Sequence, residues 1–178
     1  GLDSLPEHDA RYDVADEYLD LCNQLWQSWD ADAVVADRKS GCFADYTKVH
    51  RIDFKGEWFS SRGPLNVPRP PHGRPIIAQA GNSPRGKRFA ARHADIVLTP
   101  VNHPAAIKAF RDEIRGLAAA AGRSPDDVKV MSLAFPKVFD TQGDVDAFRE
   151  SLTHIPDAVV RNWLALVSSI TTLDLSVY

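Results

Sequence analysis

The sequence predicts an α/β fold that contains parallel β–α–β units, and two patterns carry this prediction. From Arg74 onwards, short apolar runs alternate with longer segments whose apolar residues recur at three- and four-residue steps. This alternation is typical of parallel strands joined by helices. Before it, a candidate hairpin and a proline-rich stretch fill residues 48–73. We therefore expect one domain in three parts, 1–47, 48–73 and 74–178.

The first part of the chain predicts an amphipathic helix over Ala10–Trp29, because its apolar residues fall on one helical face. Ala33–Ala36 is a candidate for a further short helix. In the second part, Val49–Phe54 and Trp58–Ser60 flank Lys55-Gly56, which is a plausible turn pair for a hairpin.

Four prolines lie between Gly63 and Gly73, and they exclude both a regular helix and a central strand there. This stretch is therefore predicted to be a stiff connector into the third part. In the third part the predicted strands are Pro75–Ala80, Asp95–Thr99 and Val128–Phe135, and the predicted helices are Pro84–His93, a segment between an Asn102 cap and a Gly122 stop, a segment around Phe148–Leu152, and Ala158–Ile170.

The junction between the first of these strands and its helix is the strongest candidate for a binding site. Ser83 is a good N-cap, Pro84 suits the first helical position, and Gly81 allows a ligand to approach the backbone closely. The unpaired N–H groups and positive dipole end of a helix bind phosphate well. These residues alone leave two interpretations open: Ser83 is a phosphate ligand, or it only caps the helix.

The same junction nearly matches the P-loop motif of nucleotide hydrolases, in which a glycine and four residues precede Gly-Lys-Ser/Thr. Arg88 stands where the magnesium-binding hydroxyl belongs, and Pro84 removes one N–H donor from the loop. A P-loop-like nucleotide-binding protein is therefore a weaker alternative.

His8 and Tyr12 are four residues apart, so within a helix they lie on the same face. There they can hydrogen-bond a phosphate, a ribityl chain or a carboxylate. The alternative, which these residues alone favour, is that His8 caps the helix entrance while the Tyr12 hydroxyl points into water.

The composition excludes several classes of function. A net charge of −3 and an isoelectric point near 6.1 give no general attraction to nucleic acid or to an anionic membrane. No apolar run is long enough to span a membrane. The histidines lack metal-ligand spacing, so we predict no metal site, and we assign no catalytic acid or base. Cys22 and Cys42 lack CxxC spacing, which favours reduced thiols in a cytoplasmic protein.

Seven segments share one further property, which is that they match a single family in order along nearly the whole chain: Gly1–Glu17, Leu25–Trp29, Lys48–His50, Gly63–Arg69, Arg74–Gly81, Ala90–Asp95 and Ala121–Arg123. With these segments the chain resembles the nitrilotriacetate monooxygenase family of FMN-dependent oxygenases, within the bacterial luciferase-like superfamily.

The resemblance implies a partial TIM (β/α)8 barrel of the luciferase-like type, in which residues 48–73 form a lid or pocket wall. It implies a two-component monooxygenase that uses O2 and FMNH2, supplied by a separate NAD(P)H:flavin reductase, on a small organic substrate. A homodimer is usual for the family. The cofactor-binding residues that the resemblance implies are His8, Tyr12, Ala80, Gly81, Asn82 and Ser83, the last on the FMN phosphate.

The length of the chain departs from the family pattern. A TIM barrel needs about 250 residues, and these 178 residues supply no counterpart of the first four strands. We therefore expect an incomplete barrel, from the central and C-terminal part of a flavin-dependent monooxygenase. The alternative is a truncated, non-catalytic remnant that cannot bind flavin alone.

Overall fold

Helices and strands fall into two compact units in the computed structural model, which describes residues 6–170 and Leu175. The first unit ends at Ala134 and the second begins at Phe135. In the described part of the chain the helices are α1 (His8–Trp26), α2 (Pro84–His93), α3 (Pro104–Ala120), α4 (Gln142–Ser151) and α5 (Asp157–Ile170), and the strands are β1 (Val34–Asp37), β2 (Cys42–Ala44), β3 (Phe54–Lys55), β4 (Ser60–Ser61), β5 (Ala78–Gln79), β6 (Ile96–Thr99) and β7 (Lys129–Ser132).

The later half of the first unit is a parallel α/β arrangement. Strands β5, β6 and β7 form one parallel sheet in that order, with α2 between β5 and β6 and α3 between β6 and β7. Val97 and Thr99 of β6 are buried, whereas Ile96 and Leu98 are half-buried, because alternate side chains of a strand point to opposite faces. The apolar core consists of Ala90, Ala91, Ala94, Val97, Phe110, Ile114, Ala118 and Val128. The predicted β–α–β units are therefore confirmed.

Strand β5 is shorter than the predicted Pro75–Ala80. Pro75 has no N–H, and the N–H of Ile77 donates to the carboxylate of Asp95 at 2.9 Å. Arg74 donates two further hydrogen bonds to this carboxylate, at 2.8 and 2.6 Å. Burial raises the pKa of Asp95, but the bonds from Arg74 and Ile77 outweigh it and lower the pKa below its ordinary value.

Helix α1 begins at His8 and ends at Trp26, so it ends before the predicted limit at Trp29. Beyond that end, the Ser28 hydroxyl donates to the carbonyl of Leu25 at 2.7 Å and accepts the N–H of Leu65 at 3.0 Å. This hydroxyl therefore joins the end of α1 to the proline-rich stretch.

The candidate short helix at Ala33–Ala36 is wrong. Val34–Asp37 is a strand, β1, which pairs antiparallel with β2. Ala36 has a φ of 46°, which no residue of a right-handed helix adopts, and the register of the pair shifts between Val34 and Asp37. The segment predicted to form a helical turn is therefore an irregular part of the β1–β2 pair.

The predicted hairpin is present, but its strands are shorter and its turn is longer than predicted. Phe54 pairs with Ser61 and Lys55 with Ser60. The connection is the four-residue loop Gly56–Phe59, where the Gly56 N–H donates to the Phe59 carbonyl at 2.8 Å.

Helix α3 ends where the sequence predicts, but its N-cap residue is not the predicted one. His103, rather than Asn102, is the N-cap residue, and its side chain makes no capping hydrogen bond. Pro104 begins the helix, which suits its fixed φ. At the other end Gly122 has a φ of 78°, which fits the predicted glycine stop.

The second unit contains α4 and α5. Thr141 and Asp144 form a capping box at the start of α4: the Thr141 hydroxyl accepts the backbone N–H of Asp144, and the Asp144 carboxylate accepts the backbone N–H of Thr141. The Phe148 ring of α4 packs against Phe139, with centroids 5.3 Å apart. Both helices were predicted, and α5 begins one residue before the predicted Ala158.

Candidate functional site

A contact between α1 and α2 brings the candidate site residues together. Arg85 of α2 donates hydrogen bonds to Asp13 at 2.7 Å and to Asp16 at 2.5 Å. Arg92 donates to Asp20 at 2.7 Å. The three aspartates recur at three- and four-residue steps, so they line one face of α1. Opposite charges therefore hold α1 along α2.

His93 adds a buried contact to this pair of helices. Its Nε2 lies 2.6 Å from Oδ1 of Asp16, and its ring packs against Phe89 with centroids 4.9 Å apart. Burial lowers the pKa of His93 below its ordinary value, although the Asp16 carboxylate acts in the opposite direction. The imidazole is therefore neutral near pH 7, and its Nε2–H donates to the carboxylate.

The hydroxyl of Tyr12 lies at the junction between β5 and α2. It accepts a hydrogen bond from Nε2 of Gln79 at 3.3 Å. A Cβ atom added at Gly81 would lie 2.5 Å from this hydroxyl, and one added at Gly86 would lie 2.7 Å from it. Both glycines are therefore required for the hydroxyl to reach the junction.

Two aromatic rings pack against Tyr12. The His8 ring lies 5.2 Å from the Tyr12 ring, and the Phe89 ring lies 5.3 Å from it, between centroids. His8 is the first residue of α1, and Glu7 occupies the N-cap position. The alternative in which His8 caps the helix and the Tyr12 hydroxyl only meets water is therefore wrong.

Ser83 caps α2, as predicted. Its Oγ accepts the N–H of Gly86 at 3.0 Å, and Pro84 occupies the first helical position. Ser83 is half-buried, and within the described residues its O–H donates to no protein acceptor. Capping uses only a lone pair of the hydroxyl, so its hydrogen remains available to a ligand.

His8 lies beside Tyr12, and the position of Gly86 is next to the Tyr12 hydroxyl, the Ser83 hydroxyl and the backbone of Gly81, so these four predicted residues lie close together. Ala80 and Asn82 belong to the same junction and are exposed, and the Ala80 N–H donates to Oε1 of Gln79 at 3.0 Å. Two residues of this junction are missing from the sequence-predicted site: Gln79, which donates to the Tyr12 hydroxyl, and Gly86, whose lack of a Cβ leaves room for that hydroxyl. The available signal was a polar side chain at the end of an apolar run.

Two searches of the described part of the chain concern metal ions and membranes. No group of three or more histidine, cysteine, aspartate or glutamate side chains is placed to hold a metal ion there. None of the described helices is both long enough and apolar enough to cross a membrane.

Comparison with known proteins identifies the family. A profile described as luciferase-like monooxygenase matches residues 1–170. The chain belongs to the luciferase-like monooxygenase family. One relative within it is the dibenzothiophene-sulfone monooxygenase of Rhodococcus erythropolis, which is 42% identical over 178 residues, covering 100% of this chain and 39% of that protein.

Another relative in the luciferase-like family is nitrilotriacetate monooxygenase component A of Aminobacter aminovorans. It is 39% identical over 155 residues, which are 87% of this chain and 34% of that protein. Because family members named for different substrates match at similar identity, the narrower nitrilotriacetate assignment stays a prediction.

The solved structure of riboflavin lyase (RcaE), with modified FMN and riboflavin, matches the structure of this chain with a TM-score of 0.84. The identity is 34%, over 98% of this chain and 39% of that one. This match confirms the predicted fold class, an α/β arrangement consistent with part of a TIM barrel of the luciferase-like type. The chain spans 39% of the length of the Rhodococcus relative and 34% of the length of the Aminobacter relative.

Proposed function

We propose that this chain is part of a two-component monooxygenase that uses FMNH2 and O2 to oxygenate a small organic substrate. A separate NAD(P)H:flavin reductase would supply the reduced flavin, and the whole enzyme would be a cytoplasmic homodimer. The observation that carries this proposal is the meeting of Tyr12, Gly81 and Ser83 at the start of α2, in a luciferase-like chain.

The donors at this junction suit the phosphate of FMN. The Ser83 hydroxyl has a free hydrogen, and the Tyr12 hydroxyl accepts from Gln79 and so keeps its own hydrogen for donation. The backbone N–H of Arg85 and the positive end of the α2 dipole favour an anion there, since Pro84 has no N–H and the Gly86 N–H already donates to Ser83. Gly81 carries no Cβ that would fill the space beside Tyr12.

Each predicted residue then has a task. Ser83 binds the phosphate, with backbone help from Ala80, Gly81 and Asn82, and the neighbouring rings of His8 and Tyr12, tilted by 60° to each other, orient the rest of the cofactor. When bound, the flavin supplies the redox chemistry, and the protein supplies binding, orientation and the exclusion of water.

The contacts of Lys87 argue against the nucleotide-hydrolase alternative. A P-loop lysine must reach the phosphates. Here Lys87 Nζ lies 2.7 Å from Oε2 of Glu113 and 5.2 Å from the centroid of the Phe110 ring, both on α3. With Arg88 in place of the magnesium-binding hydroxyl, two parts of the motif are missing, and we do not retain this function.

A second candidate function is the non-catalytic remnant that cannot bind flavin alone. Flavin binding by this chain separates the two candidates.

Ser83→Ala, tested with FMN and with riboflavin, examines the phosphate assignment directly, because riboflavin is the same ring system without a phosphate. We expect the 178-residue chain to bind FMN more tightly than riboflavin in anaerobic calorimetric titrations of the oxidised and reduced forms. Ser83→Ala should weaken FMN binding by about tenfold, the loss of roughly one charged hydrogen bond, and leave riboflavin binding unchanged.

Ser124→Ala is the matched control, because Ser124 also caps a short helical turn through its side chain but lies away from the junction. It should leave both affinities unchanged. Equal affinities for FMN and riboflavin in the native chain would contradict the phosphate site, and no binding of either would favour the remnant.

A further inference from the structure

The loop between β3 and β4 is attached to α1 by a single carboxylate. Glu17 accepts the backbone N–H groups of three successive residues, Glu57 at 2.8 Å, Trp58 at 2.9 Å and Phe59 at 2.6 Å. Convergent backbone N–H groups form a concavity that binds anions, and here a side chain of the same protein fills it. The partners are 40 to 42 positions apart in sequence, so local turn geometry does not produce the contact.

The loop is shaped to admit this carboxylate. A Cβ atom at Gly56 would overlap the carboxyl group of Glu17, so the close approach requires a glycine at this position. Beside it, the Tyr18 ring packs against the Phe59 ring, with centroids 5.6 Å apart. The loop therefore leaves room for the Glu17 carboxylate, and the neighbouring residue of α1 packs against the loop.

The hairpin contributes little stability of its own. Its ladder has two residue pairs, Phe54 with Ser61 and Lys55 with Ser60. An isolated two-stranded hairpin is at best marginally stable in water. The attachment to α1 must therefore supply much of the order of the loop.

We propose that Glu17 is a latch that fixes the Gly56–Phe59 loop in place on α1. Partial desolvation raises the pKa of the Glu17 carboxyl, but the three N–H groups outweigh it and lower the pKa below its ordinary value. The carboxylate is therefore charged near pH 7, when the latch is closed.

The latch also has a role in the proposed function, and this role rests on that function. Tyr12 lies five residues before Glu17 on the same helix, a separation of about 7.5 Å along its axis. Glu17 therefore sets the loop on the helix that carries a proposed flavin contact. In this role it is a positioning residue for the lid or pocket wall that residues 48–73 are predicted to form.

Backbone amide exchange of the 178-residue chain tests the latch without any ligand. In Glu17→Gln, the amides of Glu57, Trp58 and Phe59 should exchange faster by about tenfold or more, because a charged acceptor is lost. The amides of α2 and β6 should keep their native rates. Glu57→Gln is the matched control, since it removes a charge from the same loop but leaves the acceptor intact, and it should exchange like the native chain.

A double-mutant cycle tests the same contact from the loop side. Gly56→Ala should also speed exchange of the loop amides in the native background, because its Cβ displaces the carboxylate. In a Glu17→Ala background the obstructing carboxyl group is absent, so Gly56→Ala should add little.

Three results would overturn the latch. The loop amides of Glu17→Gln could exchange at the native rate, or Gly56→Ala could speed their exchange equally in both backgrounds. Alternatively, the amides of α2 and β6 could also exchange faster in Glu17→Gln, which would make Glu17 a general determinant of folding. None of these measurements uses flavin. The latch and the FMN site can therefore fail independently of each other.

Discussion

The two halves of the first unit are held together in different ways. Between residues 74 and 134, α2, α3 and the parallel sheet enclose an apolar core, in which Ile114 and Val97 are fully buried. Between residues 28 and 73 the strands form two separate two-stranded ladders, and large apolar side chains such as Phe43 and Tyr46 are exposed. Hydrogen bonds to single side chains, such as Leu65 to Ser28 and Glu57 to Glu17, connect distant parts of the sequence in this region. Each of these connections therefore depends on one residue, whereas many residues contribute to the stability of the core.

The largest effect is expected in the apolar core. Ile114→Ala should lower the free energy of unfolding by about 3 kcal/mol, because the side chain is fully buried and its removal leaves a cavity. Ile107→Ala, a half-buried position on the same helix, should lose clearly less. Denaturant unfolding followed by circular dichroism measures both, and equal losses would contradict a core centred on Ile114.

A smaller loss is expected at the polar contact that bounds this core. Asp95→Asn should lower the free energy of unfolding by about 2 kcal/mol, because Arg74 and the N–H of Ile77 both lose a charged acceptor. Asp126→Asn is the control, since Asp126 pairs with Arg115 at an exposed position, where ion pairs contribute about 0 to 1 kcal/mol. The same unfolding measurement should separate the two variants.

In the other region the effect should be smaller and local. Ser28→Ala should cost about 1 kcal/mol, because the buried hydroxyl joins the carbonyl of Leu25 to the N–H of Leu65. The Leu65 amide should exchange faster in this variant, while the β6 amides keep their rates. Ser40→Ala, whose hydroxyl bonds only to near neighbours, should leave Leu65 unchanged. Uniform loss of protection in Ser28→Ala would contradict the contrast between the two regions.

The same contrast explains which elements the sequence could predict. Helix α2 was predicted with both of its ends, because Ser83, Pro84 and the apolar period are local signals. The sequence does not predict the length of β5, because the N–H of Ile77 donates to the carboxylate of Asp95, 18 residues further along the chain. Ala33–Ala36 was misassigned because a left-handed φ at an alanine has no sequence signature.

The candidate site was predictable to a similar extent. Ser83 and Gly81 stand out from turn chemistry alone, and the pair His8 and Tyr12 follows from helical spacing. The hydrogen bond from Gln79 to the Tyr12 hydroxyl, and the need for a glycine at position 86 beside that hydroxyl, arise only when α1 docks on α2. Docking depends on charge pairs about 70 residues apart in sequence, which one sequence does not reveal.

The smallest predicted effect is a pH dependence at this docking contact. Burial lowers the pKa of His93 in the folded chain, so the unfolded chain takes up this proton at a higher pH than the folded chain does. The stability that neutral His93 contributes is therefore fully present above the unfolded pKa, about 6.5, and declines as the pH falls below it. Carboxylates such as Asp95, whose pKa values are lowered, titrate well below this window.

His93→Gln isolates this contribution, because its amide can still donate to Asp16 but does not titrate. Between about pH 7.5 and 5.5, a window that brackets the ordinary histidine pKa, the native chain should lose more unfolding free energy than the variant. The measurement is a series of denaturant titrations across that range. If the variant lost as much as the native chain, protonation of His93 would not oppose the docking of α1 on α2, and the buried Asp16 contact would have to hold equally well with a charged ring.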